Sequence, residues 1–371
     1  MMSGDQAFHG MASGSRPLLL LCADTAPQRR QLLFHAHRQL TTERGASRIL
    51  VLDLAGSQPA ADCLSAGPET CWQGYAREAW ATQIWQSLLP VLEPWSDLLE
   101  GSLTTDAPPP SREIPGLDSL LGCLFLADQC AGAAAGDADA LILLLPPLEQ
   151  SLPMLQLACR GPELLEGLWR PLLLWWSQTR QRLSQVELLL RLRLPSAESL
   201  ELSAPWRDCL EQLAMRLQAP SVEVLLALAV EREDLASLGA RVVGLPLSGL
   251  PRLRLWLEAD LAKADTEPLR QLLALPVLIS PASRFRRQAA PWLASPLPGE
   301  TQLWESLESG PRCRLYLPGL DREGLQVQRH NEVLQIRSDG LRLSVPLPPG
   351  WSQRVCRAAR VEAPWLVIDF A

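Results

Sequence analysis

The chain has 371 residues, 47% of them hydrophobic, and a formal net charge of −7. That length admits one large domain and a small one, with enough apolar material for a sizeable core. The acidic balance excludes a general electrostatic pull toward nucleic acid or an anionic membrane.

Nine cysteines are scattered without any CxxC pair. That spacing fits neither a zinc knuckle nor a disulfide framework and points to a reducing cytoplasm. Cys123 and Cys130 lie seven apart and would share a buried helix face. His35 and His37 are two apart, which on a helix puts them on different faces and makes them a poor metal pair. The one lysine is Lys263, and 13 Trp stand against 5 Phe and 2 Tyr. No apolar run reaches the roughly 18 residues of a membrane span. The nearest, "LLEGLWRPLLLWW", is interrupted by Arg170 and Pro171. The start of the chain lacks the basic segment of a signal peptide, and a bulky Leu21 precedes Cys22 where a lipoprotein cleavage site expects a small residue. Residues 1–15 therefore read as a flexible tail.

Ordered structure is predicted from Leu18. "LLLLCADTAPQRRQLL" reads as a buried strand, a turn and the start of a helix that ends near Gly45, with Pro27 in its first turn. Asp24 sits at that turn, either as an N-cap or as a ligand. "RILVLDLAG" gives a second buried strand, so the chain begins as a parallel α/β sheet. A long helical region is predicted over 70–100, a Pro-rich loop over 106–115 and a helix over 117–135. "DALILLLPP" is a third buried strand with Asp139 at its head. Helices are predicted over 161–190 and 205–218, and "SVEVLLALAV" and "ARVVGLPLSG" read as further strands. "SPASRFRRQAAPWLASPLPGE" reads as a surface loop and linker.

From Arg312 the texture changes to short alternating segments. Leu341, Leu343, Val345 and Leu347 fall on one face, with Arg342 and Ser344 on the other. That period of two predicts a small antiparallel β-sandwich over 312–371, appended to an α/β domain over 16–305.

Together these pieces resemble the ArsA and tail-anchored-protein targeting ATPase family. "RILVLDLAGSQPAADCL" is similar to the family's first switch, which ends in DPAHxLSD. "IPGLDSL" is similar to its PG-x-DE turn, and "DALILLLPPLEQSLPML" to its second switch. "LYLPGLDREGLQVQRHNEVLQIRS", "LRLSVPLP" and "ARVEAPWLVIDF" resemble the α-crystallin-like domain that one branch of the family carries. The resemblance implies a P-loop fold, ATP with Mg²⁺ as cofactors, a homodimer, and helices that form an apolar client-binding surface.

The departures from that pattern fall on the reaction itself. The family's phosphate loop is KGGxGKT, in which backbone N–H groups and lysines wrap the phosphates. Here the matching turn, Ala23 to Gln31, has no Gly and no Lys. The first-switch Asp falls on Ala55 and the second-switch Asp on Leu144, and the TGH that follows becomes Leu148, Glu149 and Gln150. Losing charge stabilisation and the metal hold would each cost orders of magnitude in rate. Arg29 and Arg30 stand near the missing lysine, either as a residual anion site or as solvated first-turn residues. The family's zinc-binding CxxC is also absent.

Trp72, Trp80, Trp85 and Trp95, and then Trp169, Trp175 and Trp176, gather in the two predicted helical regions. Each set is either core packing or a client-binding surface. Three readings stay open: a nucleotide-independent client-binding or scaffold protein on a degenerate P-loop fold, an ATPase with an atypical phosphate site, and a structural subunit that pairs with an active paralogue.

Overall fold

The computed structural model describes residues 16–56, 69–84, 86, 117–161, 204–230, 238–259, 273–307, 310–338, 340–351 and 353–371. Its centre is a seven-stranded parallel sheet in the order β3-β2-β4-β1-β5-β6-β7. The strands are β1 (Leu18–Ala23), β2 (Arg48–Asp53), β3 (Glu69–Gly74), β4 (Ala140–Leu145), β5 (Val222–Ala229), β6 (Leu253–Glu258) and β7 (Val277–Ile279). β1 and β4 are buried at every position. Helices cover both of their faces, so both sides of the pleat must be apolar and alternation disappears. Burying each leucine side chain contributes roughly 1.5–3 kcal/mol.

One face carries α1 (Ala26–Thr42) and α8 (Ala282–Leu293). There Trp256 of β6 stacks on Phe285 of α8, with ring centroids 3.8 Å apart. The other face carries α2 (77–84), α3 (Leu117–Ala131), α5 (148–161), α6 (Ala204–Leu217) and α7 (Leu238–Leu247), with the short α4 (Ala133–Asp137) leading into β4. Cys123 and Cys130 both join this second core through α3.

The C-terminal unit is a sandwich of two antiparallel sheets, ordered β10-β11-β12 and β13-β14-β9-β8. Its strands are β8 (Gln302–Leu307), β9 (Gly310–Tyr316), β10 (Gln326–His330), β11 (Val333–Ser338), β12 (Leu341–Pro346), β13 (Cys356–Glu362) and β14 (Trp365–Phe370). The sheets therefore begin at Gln302, because "QLWESL" pairs antiparallel with β9, with Leu307 opposite Gly310. Leu341, Leu343, Val345 and Leu347 all face the core of this unit, as the alternation predicts.

Three expectations give way. The predicted helix at 70–100 begins instead with an edge strand, β3, whose Thr, Cys and Trp suit a pleated, half-buried edge; helix starts at 77, and residues 87–116 lie outside the described part. "ARVVGLPLSG" is the helix α7 and not a strand. Leu238, Val242 and Leu245 face the parallel-sheet core while Val243 and Leu247 face the sandwich, so a helix with two buried faces presents a continuous apolar run. The Pro-rich linker contains the helix α8, with Phe285, Ala289, Trp292 and Leu293 buried. Pro281 is its N-cap and Pro291 falls in its last turn, so neither interrupts the buried face. The predicted helix over 161–190 lies outside the described residues, save for Gly161 at the end of α5.

Candidate functional site

In an open parallel sheet the natural binding crevice lies at the carboxyl ends of two neighbouring strands whose connections leave in opposite directions. Here those strands are β1 and β5. The chain leaves β1 through α1, on one face, toward β2. It leaves β5 through α7, on the other face, toward β6.

At this crevice the β1–α1 turn is only two residues long, Asp24 and Thr25. Thr25, not Asp24, is the N-cap of α1. Its hydroxyl accepts from the Gln28 backbone N–H at 3.4 Å, and the Gln28 side-chain oxygen accepts from Thr25 N–H at 3.1 Å. This reciprocal capping box engages two backbone donors at the mouth of the turn, groups that a phosphate would otherwise take. Gln28 Nε2 also donates to Glu258 at the end of β6, at 2.7 Å.

Asp24 is freed from capping and spans the crevice. Its carboxylate accepts from the Ala229 N–H at 3.1 Å and lies 3.6 Å from the Arg241 guanidinium of α7. Arg241 in turn donates to Glu149, at the start of α5, from Nη2 at 2.7 Å and Nε at 3.1 Å. Burial pushes the Asp24 carboxyl up, against the pull of the Ala229 N–H and Arg241. Burial also opposes the Glu149 charge, but its own backbone N–H and Arg241 hold that carboxyl low. The crevice is thus filled by an acid–arginine–acid bridge that carries one excess negative charge when all three groups are ionised.

Arg29 turns inward. It is buried, and Nη2 donates to the Ala23 carbonyl at 3.2 Å. Burial lowers its basicity, and the nearby Asp53 and Cys22 act in the opposite direction. Arg30, one residue on, is exposed to solvent on the first turn. The two arginines therefore do not converge. Leu144 is buried inside β4, and the Ala55 N–H donates to Asp53 at 2.9 Å. Below the turn, Cys22 Sγ and Ser151 Oγ both approach the Pro146 carbonyl, at 3.2 and 2.7 Å, and burial pushes the Cys22 thiol up to about 12. That thiol is a packed, protonated group and not a nucleophile.

Of the tryptophans singled out in the sequence, Trp80 is buried edge-on against Phe125, with centroids 5.6 Å apart. Trp72 is half-buried against the opposite face of the sheet. The structure does not bring these two together. Trp85, Trp95, Trp169, Trp175 and Trp176 lie outside the described residues. His35 and His37 are both buried on α1; His37 meets Thr70 at 3.1 Å and His35 packs edge-on against Phe285. Among the described residues no group of three His, Cys, Asp or Glu side chains is arranged to hold a metal ion. No helix among them is long and apolar enough to cross a membrane.

Sequence reasoning missed Arg241, which holds the bridge together. Its only signal was the segment "ARVVGLPLSG", read as a strand, where an arginine at the head of an apolar run has no visible partner. No protein-family model matches the chain, and no curated protein sequence matches it.

Proposed function

We propose that this protein is a nucleotide-independent client-binding or scaffold protein on a degenerate, ArsA-like P-loop fold, with a role in membrane-protein targeting or chaperoning. The observation that carries the non-catalytic part of this reading is the Asp24–Arg241–Glu149 bridge across the β1/β5 crevice. A phosphate chain entering there would meet two carboxylates, a capped helix and no glycine loop. With Arg241 between them the two acids present one excess negative charge to such an anion, and the exposed Glu149 share of it is screened by solvent. The missing acidic residues at Ala55 and Leu144 add to this, since they leave neither a water-positioning group nor a metal hold at the expected positions.

The test has two arms. Turnover of ATP with Mg²⁺ should stay at background. Capture of an apolar helical peptide should occur, and should be the same with and without ATP. ATP turnover that disappears on Arg29→Ala would overturn the reading in favour of an enzyme with an atypical phosphate site. Background turnover with no peptide capture would favour a structural subunit.

A further inference from the structure

The opposite end of the parallel sheet, away from the Asp24 crevice, meets the C-terminal sandwich, and between them lies an open-sided cavity of about 350 Å³. Val222 and Leu250 line it from the sheet side, and Leu317 and Leu343 from the sandwich side. A seam between two folded units is a preferred place for a ligand cavity, and this volume sits at the lower end of the roughly 300–1,000 Å³ typical of small-molecule sites.

The wall is mixed, with Gln218, Thr301 and Gln302 beside the aliphatic side chains, and two further polar features line it. β12 is the outer strand of its sheet, and the Arg342 carbonyl accepts from Arg160 of α5 at 3.1 Å, so it points away from β11. Backbone groups alternate sides along a strand, so Ser344, two residues on, turns its N–H and C=O to the same outer side; it lines the cavity. The second feature is Arg252, just ahead of β6. Its Nη1 donates to the Pro298 and Gly299 carbonyls at 3.2 and 3.5 Å, and its Nε is buried away from the cavity surface, so the rest of the guanidinium is the part that can meet a ligand. Among the described residues no carboxylate pairs with it, although the neighbouring Arg254 and Arg44 both pair with Glu223. An arginine held by neutral carbonyls beside a leucine-lined part of the wall is complementary to an anion with an apolar body.

We propose that this cavity binds a small apolar carboxylic acid. Its carboxylate is held by the Arg252 guanidinium and its hydrocarbon body lies against Leu250, Leu317 and Leu343. The volume restricts the ligand to a short or medium chain or a single ring. A bound acid would touch both the parallel-sheet unit and the sandwich, so it would stabilise their contact by an amount that rises with the logarithm of its free concentration above Kd.

The probe is octanoate, with octanol as its uncharged counterpart, titrated into the full chain by calorimetry. The expected result is saturable octanoate binding, clearly tighter than that of octanol, with a rise in melting temperature. Arg252→Gln should weaken octanoate by about tenfold or more and leave octanol unchanged, since one charge-assisted pair is lost. Leu343→Trp should weaken both by filling the space. The wild-type comparison of the two probes stands even if a variant fails to fold. Absence of saturable octanoate binding, equal affinity for octanol, or a folded Arg252→Gln protein with undiminished octanoate affinity would each overturn the proposal.

Discussion

Asp24 and Thr25 divide between them two tasks that the sequence leaves to a single residue. Thr25 caps α1 and Asp24 reaches across to Ala229 and Arg241. Asp24→Ala removes the acceptor of an exposed backbone N–H and should cost about 0.5–1.5 kcal/mol in urea unfolding, the net range for one hydrogen bond. Asp139 was legible as the residue at the head of β4, but its partners were not, because they lie 92 and 91 positions away. Its carboxylate accepts from the Ser47 hydroxyl at 2.6 Å and from the Ser47 and Arg48 N–H groups at 2.9 Å each. The hydroxyl first, then those two N–H groups, hold this carboxyl below its ordinary value of 3.8. A carboxylate whose folded pKa is depressed stabilises the fold above its unfolded value, and that contribution is lost as pH falls through the folded one. Asp139→Asn should therefore melt below wild type at neutral pH, and the gap should close as the pH is taken below 3.8. A gap that stays constant across a melting series from neutral to acidic pH would show that the clasp acts by shape and not by charge.

At the scale of elements, α7 joins the two units. Leu238, Val242 and Leu245 belong to the core under the parallel sheet, and Val243 and Leu247 belong to the sandwich core. Gly239 of α7 makes a close backbone approach to Gly319, in the loop after β9. Gly319 has φ +79°, and a Cβ there would meet the Gly239 carbonyl at 2.8 Å. Gly319→Ala should lose about 1–3 kcal/mol, from left-handed backbone strain together with that contact. The measurement is thermal melting of the variant, with loss expected at the seam and hence in both units. Trp80→Ala should cost about 3–5 kcal/mol, because the indole is buried against Phe125; a loss under 1 kcal/mol in chemical denaturation would mean that the indole contributes little to the core. Periodicity read β1, β2, β4 and β5 well because parallel strands covered on both faces have no other simple reading. It misread α7 for the same reason, since a helix buried on two faces is also apolar throughout. It missed α8 because four prolines at 281, 291, 296 and 298 suggested a loop, while the buried Phe285, Ala289 and Trp292 carried a helical spacing that went unweighed.

For the whole molecule, the α/β class and the sheet-rich C-terminal unit followed from the change in hydrophobic period along the chain. The start of that unit at Gln302 did not, since β8 pairs with β9 and has little alternating signal of its own. That the β1–α1 turn holds no glycine and no lysine could be seen in the sequence. The bridge beside that turn could not, because Asp24, Glu149 and Arg241 come from three distant segments and meet only at the switch between β1 and β5. The account rests on that crevice being closed to nucleotide. Its most direct test is a calorimetric titration of the full chain with ATP in the presence of Mg²⁺, repeated with Asp24→Asn. No saturable binding in either protein is the predicted result. Stoichiometric binding to the wild type that tightens when the Asp24 charge is removed would contradict the account, by showing that the bridge opens to admit a phosphate chain.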